Sequence, residues 1–221
     1  MIQERSKLLI LTMLFAVVLF FDLYAVYDAN LCLELLTKPL LMPLLVVYYL
    51  VVIKQPKPIV ILALFFSFLG DVLLVFEKAF FMYGLISFLI AHVLYITLVN
   101  SYKTKINKTN VIIVLIVFVM FILSLLYTIH HHAGAMILPI VIYAVTISIF
   151  GILSVLNFIS SKTQANLYML LGASIFIVSD SLIAINKFYS AHSILNIFIM
   201  MTYCLAQYLI ILSEVKREND Y

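Results

Sequence analysis

The chain has 221 residues and a formal net charge of +3; 66% of it is hydrophobic, only 10% is charged, and its mean hydropathy is +1.23. A water-soluble domain is about half apolar and about a quarter charged, so this chain lacks the polar residues to cover a water-facing surface. Soluble enzymes, nucleic-acid binders and disordered proteins are excluded, and a polytopic membrane protein remains.

A membrane-crossing helix needs about 20 mainly apolar residues. In chain order, eight runs meet that need: 8–24, 37–53, 58–76, 80–99, 111–129, 136–157, 167–185 and 193–212. The breaks carry turn chemistry or charge, as in Lys54-Gln55-Pro56-Lys57-Pro58, the lysine-rich segment 101–110 and residues 160–166. Connections this short make neighbouring helices antiparallel. No period-2 alternation of the outer-membrane barrel type is present. The pattern predicts an all-α, polytopic transmembrane helix bundle, with residues 1–221 as one integral membrane domain. The two cysteines, Cys32 and Cys204, read as packing residues rather than a disulfide framework.

Basic residues favour the cytoplasmic side of a membrane. With the N-terminus inside, Arg5, Lys7, Lys54, Lys57, Lys103, Lys105, Lys108, Lys162, Lys216 and Arg217 fall on that side, and Lys38, Lys78 and Lys187 on the other. Both termini are therefore expected in the cytoplasm.

The second half of the chain echoes the first, at about 1–105 and 106–221. Gly70-Asp71 in the third run is followed by Leu73 and Leu74, and Ser179-Asp180 in the seventh by Leu182 and Ile183, and each acid by a lysine seven residues on, Lys78 and Lys187. Pro43 and Tyr48 in the second run correspond to Pro139 and Tyr143 in the sixth, and Ala91-His92 in the fourth to Ala206-Gln207 in the eighth. These echoes predict two parallel four-helix repeats, an arrangement that places sites near the repeat interface.

A charged side chain within a span costs roughly 2.5–3.5 kcal/mol on insertion scales, so such residues mark function. Asp71 and Asp180 lie well within their runs; Asp22 is also in a span, but near its outer end. Both inner acids lie at similar depth on outward-running helices, where they can meet across the bundle. A purely structural Asp would only hydrogen-bond a neighbouring helix; the functional alternatives are proton-coupled transport and acid–base catalysis. Lys78 and Lys187, about two helical turns further out, would share a face with their acids if the helices persist. With Lys38 they stand at headgroup depth, suited to a lipid phosphate, against the plainer reading of snorkelling side chains. His92, mid-span, suits a proton relay or a satisfied core histidine. Tyr203 and Gln207, four residues apart, share one face of the eighth run and can orient a carboxylate. His130-His131-His132 is not a metal site by its spacing, since consecutive helix positions diverge. No Gly-rich phosphate loop, nucleophile elbow or zinc signature occurs.

In order along the chain, Thr37-Lys38-Pro39-Leu40, Gly70-Asp71-Val72-Leu73-Leu74, Ala91-His92-Val93-Leu94-Tyr95, Gly172-Ala173-Ser174-Ile175-Phe176, Ser179-Asp180-Ser181-Leu182-Ile183-Ala184 and Tyr203-Cys204-Leu205-Ala206-Gln207 resemble the YhhN-like, lysoplasmalogenase membrane proteins. The resemblance implies eight helices and hydrolysis of the vinyl ether bond of lysoplasmalogens. It implies a fatty aldehyde and glycerophosphoethanolamine or glycerophosphocholine as products, and Asp71 and Asp180 as the catalytic pair. The chemistry suits two carboxyl groups. One protonates the alkene carbon remote from oxygen, and the other stabilises the oxocarbenium ion and helps deprotonate water, as paired acids do in glycosidases. Lys38, Lys78 and Lys187 would hold the substrate phosphate, with Tyr203, Gln207 and His92 nearby. No metal or organic cofactor is required; the partners are a lysophospholipid and membrane lipid. The rival readings are a small proton- or cation-coupled carrier and a hydrolase of another lysolipid. A helical bundle suits a bacterial inner membrane or the endoplasmic reticulum.

Overall fold

The computed structural model describes residues 2–102 and 107–219, with side chains at 7–76, 80–102 and 107–218. Among the described residues eight α-helices follow one another: α1 (Ile2–Tyr27), α2 (Leu31–Val52), α3 (Pro58–Val75), α4 (Glu77–Asn100), α5 (Lys108–Ala133), α6 (Ile137–Ser160), α7 (Gln164–Phe188) and α8 (Ser193–Asn219). There is no strand among the described residues. Among the described residues seven helical stretches are long and apolar enough to cross a membrane, and the protein is an integral membrane protein. One of the seven is the 53-residue stretch Lys108–Ser160, which contains both α5 and α6. A straight helix of that length would span far more than the roughly 30 Å hydrocarbon core. The stretch is broken by the 3-10 turn Gly134–Met136, with Gly134 at φ 50°, and α5 packs against α6.

The helices overrun the apolar runs because their ends are set by capping rather than by hydrophobicity. Asn30 Oδ1 accepts the Leu33 amide at the start of α2, Asn107 Oδ1 accepts that of Thr109 before α5, and Thr163 Oγ1 accepts that of Asn166 at the start of α7. Each satisfies an amide that the first helical turn leaves unpaired. Pro58 opens α3 at a position where a missing N–H costs nothing. Pro39 and Pro43 lie inside α2, as membrane helices tolerate.

Exposed positions are apolar, as on α5, where Ile112, Ile116, Val117 and Met120 are each more than half exposed. Polar groups are turned inward: Asp22, Ser67, Asp71, His92, Ser154, Ser179 and Gln207 are buried. This reverses the soluble pattern and suits a lipid solvent, where unsatisfied polar groups are costly.

The chain divides into two compact units, Met1–Leu94 with Glu218–Tyr221, and Tyr95–Arg217, with the division inside α4. In the first, α2 packs on α1 and α3, and the Ser87 hydroxyl of α4 donates to the Phe66 carbonyl of α3 at 2.7 Å. In the second, α5, α6 and α7 pack on one another around Ile129, Ala133 and Ile140. There α8 lies against α7 so closely that a Cβ on Gly172 would stand 3.1 Å from the Ala206 carbonyl oxygen. The Ser179 and Ser213 hydroxyls tie the same two helices through the carbonyls of Ile199 and Ala165, at 3.0 and 2.7 Å.

Candidate active site

Antiparallel helices joined by a tight turn place residues side by side when they lie equally far from that turn. This register builds the polar sites of both units. In the first unit, Asp22 on α1 and Thr37 on α2 flank the 28–30 turn symmetrically. The Thr37 hydroxyl is 2.9 Å from Asp22 Oδ1 and 2.9 Å from the Leu33 carbonyl oxygen. Asp22 is fully buried, and its Oδ2 has no hydrogen-bond partner among the described residues. Lys38 on α2 and Asp71 on α3 lie almost equally far, about four turns, from the 53–57 link. The Lys38 ammonium is ion-paired with Glu34 one turn away. Asp71 is buried at 5% exposure, and the neighbouring Gly70 admits the Phe88 ring where a Cβ would clash.

In the second unit, Tyr143 on α6 and Asp180 on α7 both lie roughly five turns from the 161–163 connection. The Tyr143 hydroxyl donates to Asp180 Oδ2 at 2.7 Å. Nearer the connection, the Asn166 side chain donates to the Asn157 carbonyl at 3.2 Å in the same register. Both Tyr143 and Asp180 are partly exposed.

The other predicted residues are distributed as follows. His92 is fully buried with Nδ1 2.7 Å from the Phe88 carbonyl, so that nitrogen donates within α4. Gln207 is fully buried and its Oε1 accepts the Tyr95 hydroxyl at 2.6 Å, while Tyr95 stacks on Phe150. Tyr203 meets Phe176 edge-on, with ring centroids 5.5 Å apart. Lys187 is exposed on α7, which persists to Phe188, so acid and lysine share one helix as expected. The third helix does not persist in the same way. It stops at Val75, where the Phe76 amide turns back to the Leu73 carbonyl, so Lys78 belongs to α4 and not to the helix of Asp71. The Lys78 side chain lies outside the described residues. The helix starts differ too. α7 begins three residues before its apolar run, which sets Asp180 nearly a turn further along its helix than Asp71 is along α3.

Sequence reasoning missed two features: the Asp22–Thr37–Glu34 surroundings of Lys38, and the bond from Tyr143 to Asp180. The hairpin register was the signal for both.

Residues 33–214 match the YhhN family. The chain belongs to the YhhN family. The matched region of this YhhN protein includes Lys38, Asp71, Tyr143 and Asp180, and leaves out Asp22. No curated protein and no solved structure matches the chain.

Proposed function

We propose that this YhhN protein is an intramembrane hydrolase of the vinyl ether bond of lysoplasmalogens, acting through Asp71 and Asp180. The observation that carries this reading is family membership over a region that contains both aspartates. Their placement supports it. Each is an acid within a stretch long and apolar enough to cross a membrane, where insertion is costly, and Asp180 accepts the Tyr143 hydroxyl of the preceding helix.

In the proposed reaction one carboxyl group gives its proton to the vinyl carbon remote from oxygen, and the alkene π pair forms the new C–H bond. The oxocarbenium ion left behind is stabilised by the other, anionic carboxylate. That carboxylate takes a proton from water as the water oxygen bonds to the cationic carbon. The hemiacetal then loses its hydroxyl proton and expels the glycerol oxygen, which is protonated in turn. The products are a fatty aldehyde and a glycerophospho-base, and one proton passes from the second carboxyl back to the first before the next turnover. Lys38 and Lys187 serve as phosphate contacts in this reading, with Lys78, Tyr203, Gln207 and His92 as further binding candidates. The fold is read as eight crossings with both termini cytoplasmic, in a bacterial inner membrane or the endoplasmic reticulum. The packing of α5 on α6 across Gly134 favours eight over seven.

The test is lipid analysis after incubating detergent-purified protein with a lysoplasmalogen and, separately, with its acyl analogue. Fatty aldehyde from the first and no fatty acid from the second is the expected result. Release of fatty acid from the acyl analogue would make it a hydrolase of another bond. Flux across sealed vesicles without covalent change would make it a carrier.

A further inference from the structure

Lys38 is not a lone cation. Its ammonium is paired with the Glu34 carboxylate one turn earlier on α2, so a phosphate that meets Lys38 also meets a negative charge. The pair is neutral as a whole, and a bare anion loses to the carboxylate much of what it gains from the ammonium. A headgroup that is itself a joined cation and anion faces no such cancellation. We infer that Lys38 and Glu34 together form the headgroup site, and that Glu34 is the specificity-determining residue, selecting phosphates that carry a cationic amine. The inference rests on the hydrolase reading above, since it assigns this site to the substrate of that reaction.

Position, access and open valence carry the assignment. Glu34 and Lys38 fall within the first eight residues of α2, directly after the turn of Asp28, Ala29 and Asn30, all three exposed. The pair thus stands at the end of the α1–α2 hairpin, the level of lipid headgroups for helices that cross a bilayer. Around it the exposed residues of α2 are apolar, Leu31, Leu35, Leu36 and Leu40, a surface that suits a fatty chain. The Lys38 and Glu34 side chains are 13% and 20% exposed. They are open to a ligand, yet shielded enough for charge to count more than on a wet surface. An ammonium has three N–H donors and a carboxylate has two acceptor oxygens. Their mutual bond leaves donors on Lys38 and the second oxygen of Glu34 without another partner among the described residues. A phosphate oxygen accepts from Lys38 while the amine on the same headgroup lies against Glu34, so the four charges alternate in sign. A phosphate without the amine sets like charges side by side at Glu34, and that repulsion is the selective element. Lys38 is also level with Asp71 on the adjoining α3, by the register from the 53–57 link. A headgroup held there keeps its glycerol unit and vinyl ether at the depth of that acid within one unit.

The experiment compares aldehyde release from an alkenyl-glycerophosphoethanolamine with release from its N-acetyl derivative, which keeps the phosphate and loses the amine charge. Wild type, Glu34→Gln and, as a control for charge near the turn, Asp28→Asn are purified in detergent. Wild type should favour the free amine by about tenfold in kcat/KM. Glu34→Gln should raise KM for the free amine about tenfold, keep kcat within about twofold and leave the N-acetyl substrate no worse, because the lost contact is one of binding alone. Asp28→Asn should keep the wild-type ratio. A folded Glu34→Gln protein that keeps the preference would assign it to the bulk of the acetyl group and overturn the proposal. If that variant folds poorly, wild type decides. The 1-O-alkyl analogues, which have no vinyl ether to cleave, are then compared as ligands with ethanolamine, N-acetylethanolamine and glycerol headgroups. Tighter binding of the first by about tenfold is expected, and equal binding of all three would overturn the proposal. Wild type that releases no aldehyde from either substrate, yet binds the ethanolamine analogue in preference, would overturn the hydrolase reading and leave the headgroup selection in place.

Discussion

Asp22 carries a buried polar atom with no hydrogen-bond partner among the described residues. Its carboxyl group is fully buried, Oδ1 is held by Thr37, and Oδ2 has no partner among the described residues. Thr37→Val keeps the shape of the side chain and removes the Thr37 hydrogen bond to this carboxyl. The expected cost is about 1–3 kcal/mol, the penalty for a buried acceptor left unmade, read as a lower midpoint of thermal unfolding in detergent. An unchanged midpoint would show that the bond does not hold α1 to α2. At this scale Asp71 and Asp180 were legible in the sequence, because an isolated charge in an apolar run stands out. Their partners were not. Tyr143 is one of 14 tyrosines, and only the register of α6 against α7 marks it as the one opposite the acid. Lys38 was legible as a breach of the charge rule, but its ion pair with Glu34 depends on helix geometry that a charge count does not contain.

Close approach of α7 and α8 depends on Gly172. A Cβ there would stand 2.8 Å from Ile210 Cγ1 and 3.1 Å from both the Ala206 oxygen and the Ile210 nitrogen, and the backbone atoms cannot move aside as a flexible side chain would. Gly172→Ala should therefore destabilise the second unit by about 1–3 kcal/mol through overpacking, measured by the same thermal unfolding. A midpoint at or above the wild-type value would contradict the close packing assigned to these helices. Element positions were largely legible, since each apolar run lies on a helix. Element ends were not, because Asn30, Asn107 and Thr163 extend the helices by capping, a local signal weaker than hydrophobicity. The stop of α3 at Val75 was also hidden, because residues 71–76 read as one continuous apolar run apart from the acid.

For the molecule as a whole, an N-terminus in the cytoplasm puts Cys32, at the start of α2, on the outer side of the membrane. Cys32 is exposed and Cys204 is buried. A membrane-impermeant maleimide added to intact cells should label the wild-type protein once and leave Cys32→Ser unlabelled. Labelling only after the membrane is opened would reverse the orientation. The membrane class was legible from composition, because few charges and a high mean hydropathy admit no other solvent. The family was legible only through short motifs whose order matched it, since spacing along a helix does not state a reaction. The central claim is that both aspartates drive hydrolysis of a vinyl ether. The measurement that tests it most directly is aldehyde release from lysoplasmalogen by purified Asp71→Asn and Asp180→Asn, each normalised to folded protein. A loss of about 10²- to 10⁴-fold in both variants is the predicted result. A well-folded variant of either kind that keeps most of the wild-type rate would contradict it.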